Sequence, residues 1–293
     1  MAAPITTRPA RRSGATLLAV LAGTMLAPPP AMAVVGGVQS RGADGVRAST
    51  VRVETSHGEL CSGVVVASEL VLTAAHCLMA GGSIRVISLD RRFRNRTHKV
   101  ASVLPHPSFQ PGTTPRTQPG ADIALVRLAQ PLPADLRPLE LGGRLTQGET
   151  VTMAGFGLGS EKNKGSARVL REATLVNAGN YTTANTVKVA VDAEHRGEVL
   201  GAGACRGDSG GPVLRGKASE RDLVGIVSWS SGPLSSRVRL ICGGFTAITP
   251  ISEHHDWIVE ASRRLMAMDA GPNTRQAMPQ VRPDASYSWW FSR

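Results

Sequence analysis

Strand-length apolar runs recur along this chain, with turn-forming residues between them. Residues 63–67, 70–73, 83–88, 123–128, 150–154, 186–191 and 223–228 are runs of this kind. Clusters of Gly, Pro, Asn and Asp separate them, the residues that set or relax φ where a chain must reverse. Repeated βαβ units would need helical periodicity between the runs. That periodicity is confined to one segment near the end, about residues 252–266, with Ser252 placed to cap it. The spacing predicts an all-β sandwich or barrel followed by a C-terminal helix.

Residues 1–33 do not share the pattern. Arg8, Arg11 and Arg12 give a basic start, residues 14–27 form an apolar run short for a membrane span, and Ala31-Met32-Ala33 has the small-x-small form of a leader cleavage site. This segment reads as a signal peptide, which makes the mature chain secreted or periplasmic. Arg11-Arg12 raises twin-arginine export, but Ser13-Gly14 fit that signal poorly and favour the general secretory route. An uncleaved anchor is the alternative. Cleavage after Ala33 would leave 260 residues and reduce the net charge from +11 to +8. That length suits two compact domains.

Residues 205–212 read Cys-Arg-Gly-Asp-Ser-Gly-Gly-Pro. Glycine on both sides of Asp208-Ser209 allows a sharp bend, with successive N–H groups turned into one space beside the Ser209 hydroxyl. Such a turn suits a nucleophile placed next to an oxyanion site. Asp208 within it needs a cation. A base is offered by His76 in Val-Leu-Thr-Ala-Ala-His-Cys, and an orienting acid by Asp122 in Ala-Asp-Ile-Ala-Leu-Val. A lone carboxylate in that apolar run is costly unless hydrogen-bonded. Singly, His76 could be a core histidine and Asp122 a structural carboxylate. Together with Ser209 they make a candidate triad in the chain order His, Asp, Ser, the order of chymotrypsin.

Five co-linear pieces resemble the chymotrypsin/trypsin-like serine peptidases: Val34-Val35-Gly36-Gly37, Thr73-Ala74-Ala75-His76-Cys77, Asp122-Ile123-Ala124-Leu125, Gly207-Asp208-Ser209-Gly210-Gly211-Pro212 and Ser228-Trp229. The resemblance implies two antiparallel six-stranded β-barrels with a cleft between them and a terminal helix. Residues 34–141 would form the first barrel, with His76 and Asp122. Residues 142–269 would form the second barrel and the helix, with Ser209, and residues 270–293 a disordered tail. Four cysteines allow three pairings. Cys61–Cys77 would close a short loop beside His76 and matches the family. The remaining pair, Cys205–Cys242, resembles a family disulfide although Cys242 falls late in its loop. The chain contains no Cys-x-x-Cys, which speaks against a zinc site.

The same resemblance implies a secreted serine endopeptidase acting on protein or peptide substrates as a monomer, with neither metal nor organic cofactor. The N–H groups of Gly207 and Ser209 would bind the oxyanion. The α-amino group of Val34 would pair with Asp208, and because Ala33 precedes Val34, signal peptidase itself would expose that amine without a separate zymogen stage. The substrate pocket would be formed by Gly203, Ala204, Ser228, Trp229, Ser230 and Gly243. Gly203 stands where trypsin-like relatives carry an acid, so uncharged P1 side chains are expected. A non-catalytic homologue acting as an adhesin or anion binder is one competing reading, and a hydrolase acting mainly on esters is another.

Other segments carry their own alternatives. Arg91, Arg92, Arg94 and Arg96 read first as a solvated loop, with heparin-like or nucleic-acid anions as the functional alternative and no specific nucleic acid expected. Residues 110–120 either border the cleft or merely connect. His254-His255 read as surface or interface residues. Tyr287, Trp289, Trp290 and Phe291 make the tail unusually aromatic.

Overall fold

The computed structural model describes residues 1–2, 34–42, 45–114, 117–217 and 220–268. The expected tail, and the expected signal peptide beyond its first two residues, lie outside them. Every element belongs to one compact unit, Ala31–Arg293. A short strand β1 (Val38–Gln39) precedes the first barrel. That barrel comprises β2 (Thr50–Thr55), β3 (Leu60–Ala67), β4 (Leu70–Thr73), β5 (Ile84–Leu89), β6 (Asn95–Pro105) and β7 (Ala124–Leu128), closed in the order β2-β3-β4-β7-β6-β5. The second comprises β8 (Thr150–Gly155), β9 (Arg171–Thr182), β10 (Thr186–Val191), β11 (Pro212–Arg215), β12 (Asp222–Ser231) and β13 (Phe245–Pro250). It closes in the order β8-β9-β10-β13-β12-β11, and all pairings in both barrels are antiparallel.

Side chains alternate across a strand, and here both sides of several strands are buried. Val65, Val71 and Val126 point into the first barrel, while their neighbours Val64, Leu72 and Leu125 point out into a second apolar cluster. In the other barrel Val213 and Val227 point inward, and Leu214 and Ile226 join that same outer cluster. The shared cluster is the seam between the barrels, and Phe156, fully buried, sits within it. Burial on both faces explains why these strands read as continuous apolar runs. A buried carboxylate adds to the contact: Glu54 receives Arg85 of its own barrel at 2.8 Å and Arg168, which precedes β9, at 3.2 Å.

Helix α1 (His255–Ala267) follows a 3-10 turn, Ile251–Glu253. Ser252 lies inside that turn and does not cap the helix. His254 occupies the cap position without a side-chain cap bond. Ile258, Ala261 and Leu265 enter the interbarrel cluster, and the helix packs against β6 and β7. It thus follows the second barrel in sequence but rests on the first. The opposite holds for the start of the described chain. β1 pairs with β9, with Val38 opposite Glu172, and Val34 is buried in the core of the second barrel. Cys61 is bonded to Cys77 with Cα atoms 6.1 Å apart, and Cys205 to Cys242 at 4.5 Å.

Because Phe156 fills the seam, Phe156→Ala should cost about 3–5 kcal/mol. Urea denaturation should show one shifted transition, whereas a second transition would mean that the barrels unfold separately.

Candidate active site

His76 lies in the 3-10 turn Ala75–Leu78 that directly follows β4, and Asp122 lies two residues before β7. β4 and β7 are paired, Thr73 opposite Ala124, so the two side chains leave the first barrel at the same edge. Asp122 Oδ1 accepts the His76 N–H at 3.0 Å, and Oδ2 faces His76 Nδ1 at 2.8 Å. A carboxylate opposite Nδ1 places the ring proton there and leaves Nε2 as the ring's acceptor. Nε2 is 3.7 Å from Cys77 Sγ. Burial raises the Asp122 carboxyl, but the His76 charge and the hydrogen bonds from His76 and Ser228 outweigh it, and the group is held below its ordinary value.

Ser228 was expected in the pocket wall. Its hydroxyl donates to Asp122 Oδ2 at 2.5 Å, and Thr249 Oγ1 donates to the Asp122 carbonyl at 3.3 Å. Both donors come from the second barrel. The sequence reading did not find these roles, nor that of Ser62, whose hydroxyl donates to Gly207 O at 2.8 Å and accepts the Phe156 N–H at 2.9 Å.

The Ser209 turn is fixed from several sides. Ser209 O accepts the Ser62 N–H at 2.8 Å, and Gly210 N donates to Val227 O at 2.7 Å. Gly210 stands at φ +80°, and a Cβ there would lie 2.1 Å from Thr73 Oγ1 and 2.3 Å from Ser62 O, so only glycine fits. Within the turn, the N–H groups of Asp208, Gly210 and Gly211 are all used. Among the described residues, those of Gly207 and Ser209 have no partner. Ser209 Oγ donates to Ser228 O at 3.2 Å, so Ser228 contacts both Asp122 and Ser209.

The Asp208 carboxylate is fully buried. It accepts the N–H groups of Gly157 at 2.8 Å and Cys205 at 2.9 Å. Burial pushes its carboxyl up to about 7, against those two hydrogen bonds and the charge of Arg171. A buried acid held so high is short of positive charge.

Of the other residues expected in the pocket, Gly203, Ala204 and Gly243 lie around Thr246. Ala204 N donates to Thr246 Oγ1 at 2.9 Å, and a Cβ at Gly203 would lie 3.3 Å from Gly243 Cα and 3.4 Å from Thr246 Oγ1. Ser230 Oγ donates to Ile241 O at 2.7 Å, joining the end of β12 to the segment that carries the disulfide-bonded Cys242. Glu161 accepts the Ile241 N–H at 3.1 Å. Trp229 meets Tyr181 edge-on with ring centroids 6.0 Å apart. Asp192 is the nearby acid in sequence, but its carboxylate is engaged by the N–H groups of Glu194, His195 and Ala202, each at 2.9 Å. Thr246 and Glu161 were not singled out from sequence, because a lone Thr and a lone loop Glu carry no motif.

The profile of the trypsin family matches residues 34–258. Serine protease 56 of Mus musculus is 31% identical over 83% of this chain and 40% of its own length. Vitamin K-dependent protein C of Mus musculus is 30% identical over 59% of this chain and 41% of its own, and kallikrein-11 of Homo sapiens 27% identical over 70% and 72%. The chain thus spans about two fifths of the length of the first two relatives. The solved structure of neuropsin, a serine protease expressed in the limbic system of mouse brain, shares the fold with a TM-score of 0.60 and 22% identity, covering 78% of this chain and 99% of its own.

Asp208 makes a pH prediction. Its folded value of about 7 lies above the ordinary 3.8, so between about pH 4 and 7 the folded chain keeps a proton that the unfolded chain releases. The contribution to stability is complete below about pH 4 and is lost as pH rises through 7. For the full-length chain, with the bond before Val34 intact, the loss should approach about 4 kcal/mol. Urea unfolding at both pH values should show a smaller fall in Asp208→Asn, and an equal fall in the two proteins would remove Asp208 as its cause.

Proposed function

The chain belongs to the trypsin family, and on that footing we propose that it is an exported serine endopeptidase that cleaves through an acyl-enzyme at Ser209. The observation that carries this reading is the constellation around Asp122: His76 on one side, Ser228 on the other, and Ser209 hydrogen-bonded to Ser228. For the reaction the Ser209 hydroxyl gives up Ser228 O and donates to His76 Nε2 instead. Substrate-free sites commonly tighten such bonds only when loaded. Ser209 Oγ then attacks the scissile carbonyl while Nε2 takes its proton. The imidazolium, stabilised by Asp122, returns the proton to the leaving amine, and water resolves the ester by the reverse sequence. The partnerless N–H groups of Gly207 and Ser209 are the donors for the oxyanion, each worth about 3–4 kcal/mol.

Asp208 gains its cation when the chain is cut before Val34. Two observations support this step. The buried carboxylate is short of positive charge, as described above. In addition, Val34 stands at φ +50°, a conformation that costs a β-branched residue about 1–3 kcal/mol. φ at Val34 is a torsion about a bond whose far atom belongs to residue 33. Cleavage there removes the torsion and its cost while freeing an amine. Because Ala31-Met32-Ala33 has the form of a leader site, removal of the signal peptide and activation become one event. Two disulfides fit an oxidising compartment outside the cytoplasm.

Among the described residues, Gly203 and Ala204 bring no acid to the expected pocket base. Gly203 and Ala204 face Thr246 and Gly243, and the Asp192 carboxylate is saturated by backbone donors. Uncharged P1 side chains of small to medium size fit this lining, and Ser230 bridged to Ile241 narrows its mouth.

A fluorophosphonate should label the secreted protein and fail to label Ser209→Ala, with turnover of casein falling about 10⁶-fold. An unlabelled wild type with intact fold would leave a non-catalytic homologue as the reading, and turnover of small esters without casein cleavage would leave an esterase. The secreted chain should begin at Val34 by mass, and a start upstream would separate export from activation. A peptide-library digest should show uncharged P1 residues, and strict Arg/Lys cleavage would overturn the pocket assignment.

A further inference from the structure

The turn joining β5 to β6 carries Arg91, Arg92 and Arg94, with Arg96 just inside β6, and it is rigidly built. Asp90 N donates to Arg94 O and Phe93 N to Asp90 O, both at 2.9 Å. The Asp90 carboxylate accepts the N–H groups of Arg92 and Arg94 at 2.8 and 2.9 Å, and Arg94 Nε at 2.8 Å. Phe93 stands at φ +59°, a costly conformation for an aromatic residue, with its side chain packed against the interbarrel cluster. The ring pins the turn and the arginines fan outward from it.

The acids beside these arginines are already engaged. Asp135 accepts Arg96 at 2.7 Å and the buried Arg47 at 3.2 Å, and Asp90 is occupied as above. Among the described residues, Arg91 and Arg92 form no ion pair and both side chains are exposed. A cavity of about 290 Å³ opens at this place, lined by Asp90, Arg91, Arg92, Arg94, Arg96 and Asp135. Four guanidiniums face two carboxylates, which leaves a surplus of positive charge in a concave site.

We propose that this turn is a binding site for a sulfated polysaccharide. Guanidinium forks match the paired oxygens of a sulfate group. The composition of the lining selects among polyanions. Every lining residue is charged, so the site has no aromatic platform on which bases of a single-stranded nucleic acid could stack and no apolar pocket to anchor a peptide. The site shares no residue with His76, Asp122, Ser209 or the pocket, and it stands whether or not the chain is a peptidase.

Immobilised heparin is the probe, with the full chain applied at about 0.1 M salt. Wild type should bind, and Arg91→Glu/Arg92→Glu should bind at least about tenfold more weakly. Arg263→Glu/Arg264→Glu, which removes the same charge from an exposed face of α1, should bind as wild type does. Equal loss in the two variants would show attraction by net charge alone and overturn the site. Asp90→Ala removes a negative charge together with the acceptor that holds the turn, so it should weaken binding, and tighter binding would overturn the built geometry. Thermal unfolding checks that each variant is folded, and if the double variant is not, Arg91→Gln alone should still weaken binding about threefold. Wild type that fails to bind, or that duplex DNA displaces at equal charge concentration, would overturn the polysaccharide assignment.

Discussion

A carboxylate without water must find its donors within the protein or give up its charge. Asp122 finds them in two places. His76, from its own barrel, donates a backbone and a ring N–H. Ser228, from the other barrel, donates a hydroxyl to the same carboxylate, and Thr249 reaches the carbonyl of the same residue. Apolar burial between the barrels is large but non-directional, so it holds two rounded bodies together without fixing their register. Directional bonds to one buried charge supply the register. The Ser209 turn then takes its position from Ser62 in the first barrel and Val227 in the second.

Much of this was legible in the sequence, for physical reasons. Strands at the seam are buried on both faces, so they appear as unbroken apolar runs bounded by turn residues. Glycine at 210 is demanded by its neighbours' closeness, so the turn kept a readable motif. The expected helix was found with its start displaced from Ser252, because residues 251–253 tighten into a 3-10 turn before the helix begins. The basic run was read as loop throughout, yet Arg96 already lies in β6 opposite Ser88, since Asp90 closes the turn sooner than composition implies.

Ser228 was recognised as a pocket residue, but the bond from its hydroxyl to Asp122 was not foreseen. Strand parity normally assigns each side chain to a face, but the pairing of β12 with β13 shifts between Val227 and Trp229. A bulge of that kind resets the parity, and no pattern in Ser228-Trp229-Ser230 records it. Covalent order also hid the exchange of ends. The strands of the two barrels follow one another in the chain, β2–β7 and then β8–β13, while the segment at Val34 packs in the second barrel and α1 packs on the first.

That exchange has a consequence for how the molecule comes into being. Synthesis delivers β2 to β7 first, but the helix that covers β6 and β7 emerges after all of the other described elements, and the strand that receives β1 comes only after residue 170. A half-made chain cannot complete its first barrel's cover or meet the Asp122 carboxylate with Ser228. Assembly of the central constellation is thereby deferred to the final stretch of translation, and contacts of such long sequence separation form slowly. The fold carries its own safeguard of timing: a nascent or prematurely ended chain lacks the parts that bring Asp122, His76 and Ser209 together.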